Sequence, residues 1–134
     1  MRGLSLISFI IVAAAAVLVG KANAATPPVE KEVVIGVSDA FVPSGFDAES
    51  DVYVVTNGHF PNGCYRWKRS DVRRNPDSNV IEVRSIATVT EGYCIMVMVP
   101  FTQPITLGKL GVGEHKVRFI DGNGSYMEKT VVIE

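Results

Sequence analysis

The chain has 134 residues, 13 basic and 14 acidic side chains, a formal net charge of −1 and two cysteines. A chain of this length makes one domain with a single core. Its charge balance excludes the strongly basic class of protein that is drawn to nucleic acid or to an acidic membrane surface by net charge.

The first 24 residues have the pattern of a secretory signal peptide. Arg2 supplies a positive start, residues 4–19 are almost wholly apolar, and Ala22-Asn23-Ala24 is a small-x-small cleavage site. A membrane span needs about 20 apolar residues, so an uncleaved anchor is the less favoured alternative. We expect cleavage near Ala24, a mature protein that does not span the membrane, and a location in the periplasm or outside the cell.

The mature chain would carry 11 basic and 14 acidic residues, a net charge of −3. Residues 25–30 include two prolines, which disfavour helix and predict a short extended linker. Residues 31–134 are expected to form the folded domain.

Export makes a disulfide between Cys64 and Cys94 the expected state of the two cysteines. With only two cysteines the connectivity is unambiguous. The alternative is a thiolate nucleophile or a metal ligand, but the pair lacks the Cys-x-x-Cys spacing that such sites often have.

Downstream of residue 30 the chain predicts strands and turns, and no window shows helical periodicity. Phe41 and Phe46, in a loop-like stretch, are expected to lie under the edge of the fold. The turn Asp121-Gly122-Asn123-Gly124 predicts a hairpin between the last two strands. We predict strands at residues 31–37, 51–56, 65–69, 79–90, 92–101, 114–120 and 125–134, with a short apolar segment at 104–110.

The longest apolar run after the N-terminus is Gly92–Phe101, which we interpret as a central strand pinned by the disulfide. Met96 and Met98 share the parity of Cys94 along this strand. They are therefore expected on the core face, where methionine fills irregular gaps.

Seven or eight short strands separated by turn signals predict an antiparallel β-sandwich. A closed barrel with the same number of strands is the alternative.

The segment PF…ITLGKLGVGEHKVRFIDGNG…KTVVIE resembles the closing strands of bacterial extracytoplasmic domains with immunoglobulin-like or fibronectin type III-like sandwich folds. The resemblance implies an architecture used for adhesion, chaperoning, inhibition or domain spacing, and little chemistry. One feature departs from the immunoglobulin pattern: Trp67 lies only three residues after Cys64. The disulfide is therefore expected to tie a loop edge to the central strand.

A loop that could contact a partner is predicted between Asn57-Gly58 and Asn62-Gly63. Cys64 anchors its far end, and a loop that is already held loses less entropy on binding. The Tyr, Arg and Trp that follow belong to residue types common at binding hot spots. The alternative is that the Tyr and the Trp belong to the core. The candidate partner-binding residues are His59, Phe60, Tyr65, Arg66 and Trp67.

Basic residues cluster over positions 66–74 and are opposed only by Asp71. They make either a solvated strand face or a site for an anionic surface polymer, a lipid headgroup or an acidic protein. Export disfavours nucleic acid as the partner. The cluster comprises Arg66, Lys68, Arg69, Arg73 and Arg74.

Thioether and imidazole side chains are ligands that soft copper prefers. Because core packing explains the methionines, no metal site and no cofactor are expected, and copper handling is kept as the alternative. The side chains available for it are Met96, Met98, Met127, His59 and His115.

The chain lacks GxSxG, HExxH and a phosphate-cradling glycine loop, so we expect no enzyme. The leading expectation is an exported β-sandwich that binds or inhibits another envelope or extracellular protein through exposed loops. The rival is a periplasmic copper-handling protein, and a small hydrolase is a weaker third class.

Overall fold

The structure is a computed structural model that describes residues 20, 22 and 25–134. The predicted signal peptide lies outside the described residues, apart from two isolated positions. In the described part of the chain, eight strands form two sheets that pack as a β-sandwich without any helix. The predicted all-β sandwich is confirmed. No membrane-spanning helix occurs among residues 20, 22 and 25–134.

The strands are close in length to those of ordinary sandwiches, except for the very short second strand. Their bounds are β1 (Glu30–Ile35), β2 (Asp39–Phe41), β3 (Val52–Phe60), β4 (Tyr65–Arg74), β5 (Val80–Thr90), β6 (Val99–Gly108), β7 (Gly113–Ile120) and β8 (Tyr126–Ile133).

β5 is the central strand of the larger, five-stranded sheet. One of its edges pairs with β4 over residues 81–89. Its other edge is shared, because residues 85–90 pair with β1 and residues 80–84 pair with β7. β8 lies outside β7, and the β5–β7 pair is parallel whereas the other strand pairs are antiparallel. The three-stranded sheet has the order β2-β3-β6.

The core lies between the two sheets because apolar residues alternate with polar ones along the strands. Phe46 is buried as predicted, but Phe41 is 62% exposed, so its predicted burial is wrong. The largest fully buried side chains are Ile105, Ile133, Val52, Val54, Val83, Val117, Val131 and Thr56.

Two predicted loops are shorter than expected. β3 continues to Phe60, so residues 57–60 are strand and not loop. β4 continues to Arg74, although residues 70–74 are mostly polar. The alternation along β4 is interrupted by a register shift between Trp67 and Arg69, after which Val72 packs against the core. At the end of the strand the exposed Arg74 side chain donates to the carbonyl oxygens of Leu107 and Lys109.

The outer face of the five-stranded sheet carries charges of alternating sign. In register across it lie Arg73, Glu82, Arg118 and Glu128. The Arg118 Nε–H donates to Glu128 Oε2 at 3.0 Å, and this bond lowers the pKa of the Glu128 carboxyl below its ordinary value. Opposite charges on neighbouring strands stabilise a sheet by a few tenths of a kcal/mol to about 1 kcal/mol per pair. The charged side chains on this face therefore contribute to the stability of the sheet.

Gly58 lies in β3 directly opposite Phe101 of β6. The Phe101 ring occupies the space where a Cβ of residue 58 would stand. The same ring stacks on Phe60, with ring centroids 4.7 Å apart, and lies 5.6 Å from the Trp67 ring. The absence of a side chain at Gly58 therefore lets an aromatic cluster close this end of the core.

Replacing Gly58 by Ala should lower the free energy of unfolding by about 1–3 kcal/mol, the usual cost of forcing extra atoms into a packed core. Urea unfolding followed by tryptophan fluorescence measures it. The matched control is Gly111→Ala, where a Cβ meets no atom within 4 Å. Equal stabilities for the two variants would show that the Phe101 ring moves aside without cost.

Candidate functional site

Residues 91–98, which connect β5 to β6, form a loop that we call the apolar loop. Gly92 has a φ of 139°, in the region that side chains disfavour, and turns the chain out of β5. The exposed fractions of its large apolar side chains run from 54% to 110%. These side chains are Tyr93, Ile95, Met96, Val97 and Met98.

The prediction of a central strand over Gly92–Phe101 is wrong, and so is the predicted core position of Met96 and Met98. Met96 is 82% exposed and Met98 is 66% exposed. β6 begins at Val99, which pairs with Phe60, the last residue of β3. Since β3 turns away at that point, it offers no pairing partner to the residues before Val99.

The apolar loop is tied to the β3–β4 turn at several points. Cys94 is bonded to Cys64, with a Cα–Cα distance of 5.3 Å, which confirms the predicted disulfide. The Gly63 N–H donates to the Ile95 carbonyl oxygen at 2.9 Å, and the Thr90 N–H donates to the Cys64 carbonyl oxygen at 3.1 Å. The disulfide therefore joins two loop segments and not a loop to a central strand. The strand that follows Cys94 is β6, an edge strand that begins five residues later at Val99.

The five residues predicted to bind a partner do not form one surface. His59 is exposed on the outer face of the three-stranded sheet, and Arg66 is exposed on β4 of the other sheet. Phe60 is 5% exposed and belongs to the core, which corrects its predicted place at a loop tip. Tyr65 and Trp67 are half-buried against the same core cluster, as the alternative interpretation held.

The aromatic cluster lies next to the disulfide along the chain. Tyr65 stacks on Phe60 with ring centroids 6.0 Å apart. Tyr65 follows Cys64 directly, so the packing of its ring holds the start of β4 next to the disulfide. Aromatic pairs of this kind contribute about 0.5–1.5 kcal/mol beyond the area that they bury, and three ring contacts join this cluster.

Most of the basic segment is engaged within the protein. Lys68 and Arg69 both bind Glu32, and Arg69 also binds Asp71. Hydrogen bonds from Lys68 and then from Arg69 lower the pKa of the Glu32 carboxyl below its ordinary value. Arg74 is held by backbone carbonyls, as described above. Within residues 20, 22 and 25–134, Arg66 and Arg73 form no ion pair, so the segment offers two separate cations and not a cluster of five.

The side chains considered for copper are also dispersed. Met96 and Met98 lie in the apolar loop, and His59 lies near it, opposite Pro100 in the sheet register. His115 lies near the start of β7, where its Nε2 contacts the Gly111 carbonyl oxygen at 2.7 Å, and Met127 packs against the core. Among the described residues, no group of three or more His, Cys, Asp or Glu is placed to hold a metal ion.

The sequence interpretation missed the apolar loop as a surface, although a signal was present. A two-layer sandwich buries only one face of each strand. Residues 93–99 are apolar at seven consecutive positions, with cysteine counted as apolar, so half of them had no core to enter. Such a run fits either a strand that is covered on both faces or an exposed loop. A sandwich of two sheets has no third layer to cover the outer face of a strand, so the run is an exposed loop.

These features define a class: a small all-β sandwich in which one disulfide anchors an exposed apolar loop. A family model described as the ORF11 beta-sandwich domain matches residues 54–133. This range covers more than half of the chain, and the chain belongs to the ORF11 β-sandwich domain family. The match includes β4 to β8, both cysteines and the apolar loop. Searches of curated proteins and of solved structures found no match.

Replacing Cys64 by Ser should lower the free energy of unfolding by about 2–5 kcal/mol, because the disulfide restricts the unfolded chain. Chemical denaturation of the variant and the wild type measures this. Cys94→Ser should behave in the same way, since both remove one bond. Thiol titration of the wild-type protein should find no reactive thiol, and two titratable thiols per folded chain would contradict the disulfide.

Proposed function

We propose that this domain is exported and binds another envelope or extracellular protein, with the apolar loop as the main contact. The observation that carries the proposal is the exposure of five large apolar side chains between residues 93 and 98. Contiguous exposed apolar surface of this kind marks interaction sites in water-exposed proteins. The proposed role is binding or inhibition, without catalysis.

The way the loop is held supports a binding role. The disulfide and the hydrogen bond from Gly63 to Ile95 restrict the loop before any partner arrives. Ordering a side-chain-rich loop on binding costs about 0.5–1.5 kcal/mol per immobilised side chain, and a loop that is already held avoids part of this cost. Tyr and Met are also enriched at protein interfaces.

The charges around the loop favour a protein over an anionic polymer as the partner. The basic segment holds its Lys68 and Arg69 in ion pairs with Glu32. Glu91 begins the apolar loop, and Glu30 of the paired strand β1 lies opposite Thr90 just before it. A partner that presents an apolar recess suits this surface, whereas an anionic polymer would meet carboxylates next to the loop.

Kinship with immunoglobulin-like or fibronectin type III-like sandwiches stays a prediction and forms part of this proposal. It is supported by the eight-strand, two-sheet architecture. Domains with such architectures carry their contacts on loops at the ends of the sandwich, which is where the apolar loop lies.

A second candidate function is the handling of cuprous copper. The exposure of Met96 and Met98 favours it, because the predicted burial of these thioethers was the main argument against copper. The exposed imidazole of His59, opposite Pro100 in the sheet register, is a nitrogen ligand on the strand next to the one that the apolar loop enters. Soft thioether ligands select Cu(I) over harder ions.

Replacing Ile95 or Met96 by Glu should weaken partner binding by at least about tenfold, or about 1.4 kcal/mol, because a charge would enter an apolar contact. A partner captured from native envelope proteins with the wild-type domain is identified, purified and titrated by calorimetry. The matched control is Val112→Glu in the turn before β7, at the other end of β6, where the side chain is 70% exposed. His59→Ala and Arg66→Ala test the flanking surfaces. If the loop variants stay folded and bind as tightly as the wild type, the loop is not the contact.

For copper, the expected outcome is one Cu(I) bound per folded chain, measured by competition with a chromogenic chelator under anaerobic conditions. Replacing Met96 and Met98 together by Leu should abolish this binding while costing under about 1.5 kcal/mol of stability each. Met127→Leu is the control, since that thioether packs against the core. Undiminished Cu(I) binding in the double variant would exclude the site.

A further inference from the structure

A cavity opens at the end of the sandwich opposite to the apolar loop. The turn at residues 75–79 precedes β5 and the apolar loop follows it, so the 11 residues of this strand, which span roughly 35 Å, separate the two features. The cavity has a volume of about 250 Å³. Cavities for drug-sized ligands measure about 300–1,000 Å³, so this one suits a smaller molecule. We call it the end cavity.

The floor of the end cavity is apolar. Ile81 and Leu110 line it, and both are buried members of the core between the two sheets. Val80 and Pro76 add apolar surface beside them. Because removing apolar surface from water is favourable, a ligand that enters this cavity gains by placing an apolar body over these side chains.

The guanidinium of Arg74 lines the same cavity and spans the two sheets. From β4 it donates to the Lys109 carbonyl oxygen at 2.9 Å and to the Leu107 carbonyl oxygen of β6. Gly108 lies between these two carbonyl residues, and a Cβ there would stand 2.9 Å from Arg74 Nη2. The guanidinium is therefore held in place before a ligand arrives. It carries five N–H groups, so its two bonds leave three for a ligand.

The other polar side chains of the end cavity can also donate hydrogen bonds. The His115 Nε2 lies 2.7 Å from the Gly111 carbonyl oxygen, and since a carbonyl only accepts, this nitrogen carries a hydrogen. The Asn75 Oδ1 accepts a backbone N–H within the turn at 3.0 Å, which leaves its amide N–H groups to donate. Ser78 and Asn79 are exposed at the cavity. A ligand with an oxygen acceptor therefore finds several donors here.

The charge of the end cavity selects an anion. Among the described residues that line it there is no Asp or Glu, and Arg74 is always protonated. Glu82 lines the neighbouring depression on the outer sheet face, where it binds Arg84 at 3.3 Å. A phosphate carries a charge of about −1.5 to −2 and needs several cations. One guanidinium beside an apolar floor matches a monoanion with an apolar body better.

We propose that the end cavity binds a small carboxylate that carries an apolar body. The carboxylate accepts from the N–H groups of Arg74 that the backbone carbonyls leave free, because guanidinium and carboxylate are planar groups that pair in a bidentate way. The apolar body covers Ile81 and Leu110. A free organic acid and the C-terminus of a peptide that ends in an apolar residue both present this chemistry. The site is separate from the apolar loop and goes beyond the function proposed for it.

Titration of the purified protein, followed by ¹H–¹⁵N NMR, tests the proposal. The probes are benzoate and its uncharged counterpart benzamide. We expect benzoate to shift the amide signals of residues 74–81 and 109–115 and to bind at least about tenfold more tightly than benzamide, because hydrogen bonds to a charged group are the stronger ones. A short peptide that ends in phenylalanine, with a free or an amidated C-terminus, distinguishes the two sources of the carboxylate.

Variants of two neighbouring arginines show whether the binding depends on the end cavity. Arg74→Gln should weaken benzoate binding by at least about tenfold, and Arg74→Lys should have an intermediate affinity, because it keeps the charge and loses the planar fork. The matched control is Arg73→Gln, which removes the same charge from the adjacent residue of β4, outside this cavity. His115→Ala provides a second probe, should Arg74→Gln fail to fold.

The proposal is overturned if neither benzoate nor the free-acid peptide shifts the cavity signals at tens of millimolar concentration. Equal affinities for benzoate and benzamide overturn it as well. So does a loss of affinity in Arg73→Gln that matches the loss in Arg74→Gln, because the anion then responds to the outer sheet face. Met96→Glu should leave benzoate binding unchanged, so the end cavity and the apolar loop are tested by different variants.

Discussion

The hydrogen bonding of β5 on both of its edges is the constraint on which the rest of the fold depends. One edge holds β4, and the other is divided between β1 and β7 at residues 84 and 85. Because the backbone groups of β5 are paired along both sides, its inward residues Ile81, Val83 and Ala87 are fixed in position. β5 therefore sets the position of the core. It also sets the position of β4, which begins directly after Cys64 and carries Tyr65 and Trp67 of the aromatic cluster.

The candidate site arises where regular pairing ends. β3 stops at Phe60 and β6 starts opposite it at Val99, so the chain between β5 and β6 has no ladder to join. The disulfide and the hydrogen bond from Gly63 to Ile95 hold that segment in place of strand pairing. An apolar segment that is held but not covered is an unusual feature, because exposed apolar surface has no stabilising role in an isolated domain.

The two outer faces of the sandwich present different chemistry to the solvent. The five-stranded sheet carries alternating charges that pair with one another, such as Arg118 with Glu128. The outer face of the three-stranded sheet presents Phe41 and Tyr53 among prolines, threonines and an asparagine. The apolar loop leads directly into β6 of the three-stranded sheet.

The amino-acid sequence was enough to predict the all-β class, the pairing of Cys64 with Cys94, and the hairpin at residues 121–124, where Gly124 has a φ of 85°. Each depends on local or unique information: alternation with period two, a single possible connectivity, and turn residues that accept positive φ. Whether the run at residues 93–98 is core or surface could not be predicted in this way. An apolar run shows that the side chains favour burial, but burial also needs a partner strand and a covering layer, and these depend on how the rest of the chain folds. The same applies to Phe60, which is buried, and to Phe41, which is exposed, because the sheet face on which each ring lies is set by the strand pairing.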